Sequence, residues 1–419
     1  MKAAVLGYGK SGKAAETLLR HAGAVQVDIY EDKNNAYPSI SEFKNGYDRV
    51  AVSPGIDIIK RGLKIDNLTS EIELAYEALA GKGKIMVMTG TNGKSTVTYL
   101  TAQILENAGI KAVACGNIGV PFGEVVLKGG YDVFVLELSS FQIELLRNFK
   151  ADMAAITNLA PDHLDRYPTY DAYIKAKMDV LKFVREDGFA VLPDENELLR
   201  HAEYYKGRRV IINEALNGLP RLSGKVMDFG KYSLDTAKFP LFGTHNLLNL
   251  AFSLVSADSI LNFAGDITPQ IAELKGLPHR CEYSGTVNGI SFINDSKATN
   301  VYSTLACLKG AKAGNVIILG GRDKNGDFGL LADELNRAAS TVIAYGEAAR
   351  IIKEKLKGLL TCDFITSSTM EEAVKTGLNV AHKGGNVILT PACSSYDSFN
   401  NFEERGERFM QIVKELGGK

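Results

Sequence analysis

Ten short, apolar, β-branched runs punctuate this chain, at residues 3–7, 25–30, 50–53, 84–89, 133–138, 154–157, 290–294, 316–320, 342–346 and 387–390. Between most of them apolar residues recur at three and four residue intervals, the period of an amphipathic helix. Strands that alternate with helices pair in parallel through crossover connections, so the pattern predicts an α/β fold with mainly parallel sheets. Ligands of such sheets bind beyond the carboxyl ends of the strands, and the polar, glycine-bearing segments of this chain fall there. At 419 residues the chain exceeds what one hydrophobic core supports. Polar stretches near 70–82 and at Gly276-Leu277-Pro278 divide it into three expected domains, 1–75, 76–277 and 278–419. The first and third are read as doubly wound, Rossmann-like domains.

Thr89-Gly90-Thr91-Asn92-Gly93-Lys94-Ser95-Thr96 sits between the run 84–89 and a helix marked by Val97, Leu100, Thr101, Ile104, Leu105 and Ala108, with Gly109 as its stop. Glycines at 90 and 93 let backbone N–H groups close around phosphate oxygens. Lys94 supplies a cation, and Ser95 a hydroxyl able to ligate Mg²⁺. The usual pattern has a further glycine five residues before Gly93, where this chain carries Met88. The segment reads as the phosphate loop of an ATP-consuming protein, which makes the central unit a P-loop ATPase domain. The competing reading is a plain Gly/Asn/Ser/Thr turn.

Charge narrows the ligands. Lys+Arg 48 against Asp+Glu 49 leaves a net charge of -1, and without a dense basic stretch nucleic-acid binding has no electrostatic support. Small molecules are the expected partners. Cys115, Cys281, Cys307, Cys362 and Cys393 are odd in number and lack a Cys-x-x-Cys pair, which argues against a disulfide framework and a zinc site and predicts a cytoplasmic setting. No apolar stretch is long enough to span a bilayer, so no membrane association is expected.

Other strand ends carry further candidates. Gly7-Tyr8-Gly9-Lys10-Ser11-Gly12, followed about twenty residues later by Glu31-Asp32, fits the dinucleotide fingerprint, with Ala14, Ala15, Leu18, Leu19 and Ala22 as the helix's buried face. The turn recognises a pyrophosphate, so an NAD-dependent oxidoreductase and any binder of a nucleotide diphosphate both satisfy it. Glu137 ends an apolar run and suits a Mg²⁺ ligand or a solvated loop acid, and Asn117 and Ser139-Ser140 are of the same kind. His163, in a proline-containing loop, suits a second metal site or a structural role, and Lys177 lies on the helix that follows. His245-Asn246 and Asn249 open an apolar helix, where amides recognise an adenine edge or cap the helix. His279-Arg280, Asp295-Ser296-Lys297-Ala298-Thr299-Asn300, Gly320-Gly321-Arg322-Asp323-Lys324 and the loop 390–399 complete the polar set.

Taken together, Thr89-Gly90-Thr91-Asn92-Gly93-Lys94-Ser95-Thr96, residues 136–141, Asp162-His163-Leu164-Asp165-Arg166-Tyr167, residues 243–249, Leu277-Pro278-His279-Arg280 and residues 294–300 resemble the Mur ligase family, which adds amino acids to peptidoglycan precursors. Ser53-Pro54-Gly55-Ile56, Pro391-Ala392-Cys393 and Asn401-Phe402-Glu403-Glu404-Arg405-Gly406 are most similar to the member that adds D-glutamate. The resemblance implies an ATP- and Mg²⁺-dependent ligase joining D-glutamate to UDP-N-acetylmuramoyl-L-alanine through an acyl phosphate, and a monomer is expected. Gly7, Gly9, Lys10, Ser11, Gly12, Glu31, Asp32, Ser53 and Asn117 would hold the UDP-sugar, and residues 90–96 with Asn249, Arg280 and Asp295 the ATP. Ser95, Glu137, His163 and a carbamylated Lys177 would hold metal, with Lys94, His163 and Lys177 catalytic, while Lys297, Thr299, Lys324, Ser395 and Phe402 would position D-glutamate. Lys175 lies near Lys177, and the resemblance picks the latter by its place four residues after Tyr173. Rival readings are another ATP-dependent amide ligase such as a folylpolyglutamate synthetase, a non-catalytic ATP switch, and the oxidoreductase.

Overall fold

A computed structural model of the protein describes residues 1–163, 166–241 and 243–418, so Leu164 and Asp165 of the His163 motif lie outside the described residues. The chain divides into two compact units, Met1–Phe239 with Leu248–Leu274, and Pro240–Leu247 with Lys275–Lys419.

The first unit holds two parallel sheets. One, in spatial order Gln26–Tyr30, Lys2–Leu6, Arg49–Val52 and Leu68–Thr69, is parallel throughout. The other runs Arg208–Ile212, Val184–Pro193, Ala151–Ile156, Lys84–Thr89, Val133–Glu137 and Ala112–Gly116. Its middle strands are buried along nearly their whole length, as strands covered by helices on both faces must be. After Lys84–Thr89 the chain builds the two strands on one side before crossing to the other side. The phosphate loop therefore stands at the topological switch point of this sheet.

The second unit carries a six-stranded sheet in the order Glu282–Val287, Ile290–Asn294, Asn386–Ala392, Asn315–Gly320, Ala339–Tyr345 and Asp363–Ser367, parallel except for its first hairpin. Its helices start on side-chain caps where the sequence offers them, Asn300 accepting from Ser303 N at 2.8 Å and Asn401 from Glu404 N at 2.7 Å. Among the described residues no helix is long and apolar enough to cross a membrane.

All ten expected strands are present, but several others are not legible from β-branched runs. Ala112–Gly116 reads Ala-Val-Ala-Cys-Gly, and Val184–Pro193 has Arg185-Glu186-Asp187 in its first half. A small sheet of Arg221–Ser223, Val226–Asp228, Tyr232–Asp235 and Gly265–Asp266, with an antiparallel core, is likewise unexpected. One helix face also differs. Gly12, Ala14, Ala15, Leu18 and Leu19 are buried, but Ala22 is exposed because the helix ends at His21.

Gly12 is needed for contact distance. A Cβ there would lie 2.0 Å from the Gly7 carbonyl oxygen. Gly12→Ala is expected to destabilise the first unit by about 1–3 kcal/mol, the usual result of forcing a methyl into a packed contact. A urea midpoint indistinguishable from that of the unsubstituted chain would contradict this.

Candidate active site

The phosphate loop is anchored from the neighbouring strand. Thr91 N–H donates to Asn158 O at 2.8 Å and Asn92 N–H to Asn158 Oδ1 at 3.0 Å, while the Thr157 hydroxyl donates to Asn92 O at 2.6 Å. Lys94 Nζ reaches back to Thr91 O at 2.7 Å, so its ammonium lies over the loop and not in bulk solvent. Gly93 caps the helix Lys94–Asn107 with φ +79, a left-handed conformation that favours glycine, and a Cβ there would meet Asn249 Oδ1 at 2.4 Å. Asn249 is buried, and its amide therefore faces the loop at the helix N-terminus.

Strand pairing sets Glu137 opposite Met88, one residue before the loop strand ends. Its carboxylate is buried at the strand's carboxyl end. Oε1 accepts from Asn117 Nδ2 at 2.7 Å, whereas Oε2 is buried with no hydrogen-bond partner among the described residues. A buried anionic oxygen without a donor is costly unless a cation or ligand occupies the space before it. Glu137 thus fits a metal ligand, and Asn117 orients it.

Lys177 is 2% exposed, with its ammonium 5.1 Å from the Tyr173 ring centroid. Burial, and after it the charge of Lys94, lowers its pKa to about 7, against the weaker opposing pull of Asp162 and Glu137. Lys175, two residues away, is exposed and ion-paired with Asp179 at 3.3 Å. The Tyr173 hydroxyl also meets Thr91 Oγ1 at 3.0 Å, which fixes the Lys177 helix against the phosphate loop. The His163 ring is exposed, 4.9 Å from Phe141 and 3.5 Å from Asp162 Oδ2, on a backbone at φ +54. Lys94, Glu137, Lys177, His163 and Asn249 are thereby gathered around one loop.

The first sheet ends in a second polar cleft. Glu31 accepts the Tyr8 N–H at 2.6 Å and the Lys33 N–H at 2.9 Å, and these backbone bonds hold its carboxyl below the usual range. Ser53 Oγ donates to Gly7 O at 2.6 Å. Asp32 accepts from Ser39 Oγ, Ile40 N–H and Arg61, and a cleft of about 540 Å³ opens beside Glu31, Asp32, Tyr37, Ser39 and Arg61. Lys10 and Ser11 stand on the first turn of the helix Lys10–His21.

The remaining groups belong to the second unit. Asp295 is buried, accepting Cys281 N–H at 3.2 Å and the Thr390 hydroxyl at 3.0 Å, and burial raises its pKa to about 6. Lys297 Nζ sits 3.6 Å from the Phe402 ring centroid. His279 is buried against Asn294 Nδ2 at 2.9 Å, with Arg280 next in the chain. Ser395 is buried, whereas Lys324 is exposed on the loop after Asn315–Gly320.

Comparison with known proteins bears on both units. The Mur ligase middle domain matches residues 88–257, and the glutamate ligase domain of Mur ligases matches residues 279–393. The chain is 35% identical over 421 residues to the UDP-N-acetylmuramoylalanine--D-glutamate ligase of Aquifex aeolicus, covering 99% of each. The chain belongs to the Mur ligase family. The enzyme of the same name from Francisella tularensis subsp. novicida is 34% identical over 430 residues, 100% of this chain and 97% of the relative. A crystal structure of MurF ligase from Thermotoga maritima in complex with ADP shares the fold with a TM-score of 0.61 at 19% identity, covering 89% of this chain and 90% of that one.

Two groups of this Mur ligase escape sequence reasoning. Asn158 and Thr157 hold the phosphate loop from more than sixty positions away, and no local spacing signals them. Arg405 is the other. Fully buried, it donates from Nε to Ser296 Oγ at 2.9 Å, from Nη2 to Ser296 O at 2.8 Å and from Nη1 to Cys393 O at 3.1 Å, joining two strand-end loops. Its signal is available in hindsight: Arg405, Phe409 and Ile412 recur at helical spacing on one buried face.

Proposed function

We propose that this Mur ligase joins D-glutamate to UDP-N-acetylmuramoyl-L-alanine with conversion of ATP to ADP and phosphate, a step of peptidoglycan precursor synthesis. The observation that carries the reading is a phosphate loop at the switch point of a parallel sheet, with a buried Glu137 oxygen beside it that has no partner among the described residues. Full-length identity of 35% to a relative named for this reaction supports the choice of substrates.

The ATP phosphates lie against residues 90–96, with Lys94 countering their charge and the helix N-terminus supplying backbone donors. By the resemblance, Asn249, Arg280 and Asp295 are also assigned to the nucleotide. Ser95, Glu137, His163 and carbamylated Lys177 would hold Mg²⁺, which when bound offsets phosphate charge. The UDP-sugar takes Gly7, Gly9, Lys10, Ser11, Gly12, Glu31, Asp32 and Ser53, with Asn117 nearby. Lys297, Thr299, Lys324, Ser395 and Phe402 position D-glutamate. The acceptor's alanyl carboxylate attacks the γ-phosphorus, the bond to the ADP oxygen breaks, and an acyl phosphate forms. The glutamate amine then attacks the acyl carbon, losing a proton as phosphate leaves. The same reading assigns residues 1–75, 76–277 and 278–419 to UDP-sugar, ATP and amino acid in a monomeric cytoplasmic enzyme.

Phosphate release with ATP and UDP-N-acetylmuramoyl-L-alanine tests this directly. Turnover is expected with D-glutamate and not with L-glutamate, L-lysine or no amino acid. Release that is independent of an added amine, or dependent on another one, would overturn the assignment.

A further inference from the structure

Cys281 and Cys307 stand 26 positions apart in sequence, yet their sulfurs are 3.5 Å apart, with the Cys281 thiol donating to Cys307 Sγ. Both lie in the apolar core of the second unit, and Asp295 completes a cluster whose ligand atoms are all within 4.8 Å of one another. We propose that this thiol pair is a modification site: a hydroperoxide oxidises it to a Cys281–Cys307 disulfide, which displaces Arg280 and Asp295 and turns the ligase off. The consequence for activity rests on the nucleotide roles of Arg280 and Asp295 given above.

The two cysteines differ in how firmly they are held. Cys307 is in the helix Val301–Gly310, which Asn300 caps and which Thr304 ties to Thr390 O at 3.1 Å. Cys281 follows the non-helical segment containing His279, and both residues have positive φ, +45 and +61. A disulfide needs its sulfurs at about 2.05 Å, so the pair must close by about 1.5 Å. The helix resists, and the movement falls on Cys281. Arg280 precedes Cys281 directly, and the Cys281 N–H is the donor to Asp295 Oδ1 at 3.2 Å, so displacing Cys281 reaches both Arg280 and Asp295.

The chemistry balances with the hydroperoxide as oxidant. The Cys281 or Cys307 sulfur, on losing its proton, attacks one peroxide oxygen, the O–O bond breaks, and a sulfenic acid and water (or an alcohol) result. The second sulfur attacks the first, the S–O bond breaks, and water leaves. Two electrons pass from the thiols to the peroxide. The hydrogen bond to Cys307 and then burial hold the Cys281 thiol well above its usual range, so the reaction is slow at neutral pH and accelerates as pH rises.

The test treats the full-length protein with hydrogen peroxide and maps it by mass spectrometry without reduction. A linked Cys281–Cys307 peptide pair is expected, with D-glutamate-dependent phosphate release falling on the order of 10²-fold, as a misplacement of about 1 Å costs, and returning after dithiothreitol. Cys307→Ala should keep its activity and resist peroxide. The proposal is overturned if the oxidised protein leaves the two cysteines unlinked, if linked protein turns over normally, or if Cys307→Ala is inactivated as fast as the unsubstituted chain. Should that variant fail to fold, the mass map and activity of the unsubstituted protein decide alone. A reduced protein without ligase activity would instead sink the proposed function, and the mass map would still report on the bond.

Discussion

Lys94→Ala is expected to lower kcat/KM for ATP by about 10²–10³-fold, the loss seen when one positioned donor to a developing anion is removed. The reason is geometric. Lys94 is the first residue of the helix Lys94–Asn107, and its Nζ curls back to Thr91 O at 2.7 Å, which places the ammonium where transferred phosphoryl oxygens would gather. Two anions, the substrate carboxylate and the triphosphate, must approach each other there, and a fixed cation lowers that barrier more than mobile solvent ions do. The loop's shape should survive the change, because Asn158 and Thr157 hold it through Thr91 and Asn92. The variant is therefore expected to melt within a few degrees of the unsubstituted protein while losing turnover. Full turnover in folded Lys94→Ala would remove the phosphate loop from the chemistry.

What the sequence discloses follows from the range over which each feature is encoded. The phosphate loop is legible because its glycines, cation and hydroxyl are contiguous and its helix has a clean period. Glu137 is legible as a strand-end acid, but only the fold shows that Oε1 is engaged by Asn117 while Oε2 has no partner among the described residues. Arg405 and the Cys281–Cys307 contact are hidden for the same reason: their partners are distant in the chain, and an arginine or a spaced cysteine has no local signature of burial. The small sheet at residues 221–235 is not legible because strands of three or four residues are too short to display alternation. Lys175 and Lys177 are a further case. Two residues on a helix point to nearly opposite sides, so one of the pair had to be solvated, and composition could not say which.

Burial resolves that pair and supports the second large effect. Lys177→Ala is expected to lower the apparent affinity for Mg²⁺ by about 10–100-fold or more, and Lys175→Ala to leave it nearly unchanged, since an exposed i,i+4 ion pair contributes little. A carbamate forms only from the neutral amine, which gives the pH dependence its sign. An ordinary lysine, with a pKa of about 10.4, is almost wholly protonated at neutral pH. Lys177, lowered to about 7 by burial and by Lys94, is neutral in most molecules one unit above that value and charged in most molecules one unit below it. At a fixed, limiting concentration of dissolved carbon dioxide, activity should accordingly rise between about pH 6 and pH 8, and added bicarbonate should move the midpoint of that rise downward by favouring the adduct. Protein equilibrated with ¹³C-bicarbonate should show a carbamate carbon resonance that Lys177→Ala lacks and Lys175→Ala keeps. A resonance lost with Lys175 instead, or activity indifferent to bicarbonate across that pH range, would take the carbamate away from Lys177 and leave Glu137 and Ser95 to hold the metal without it.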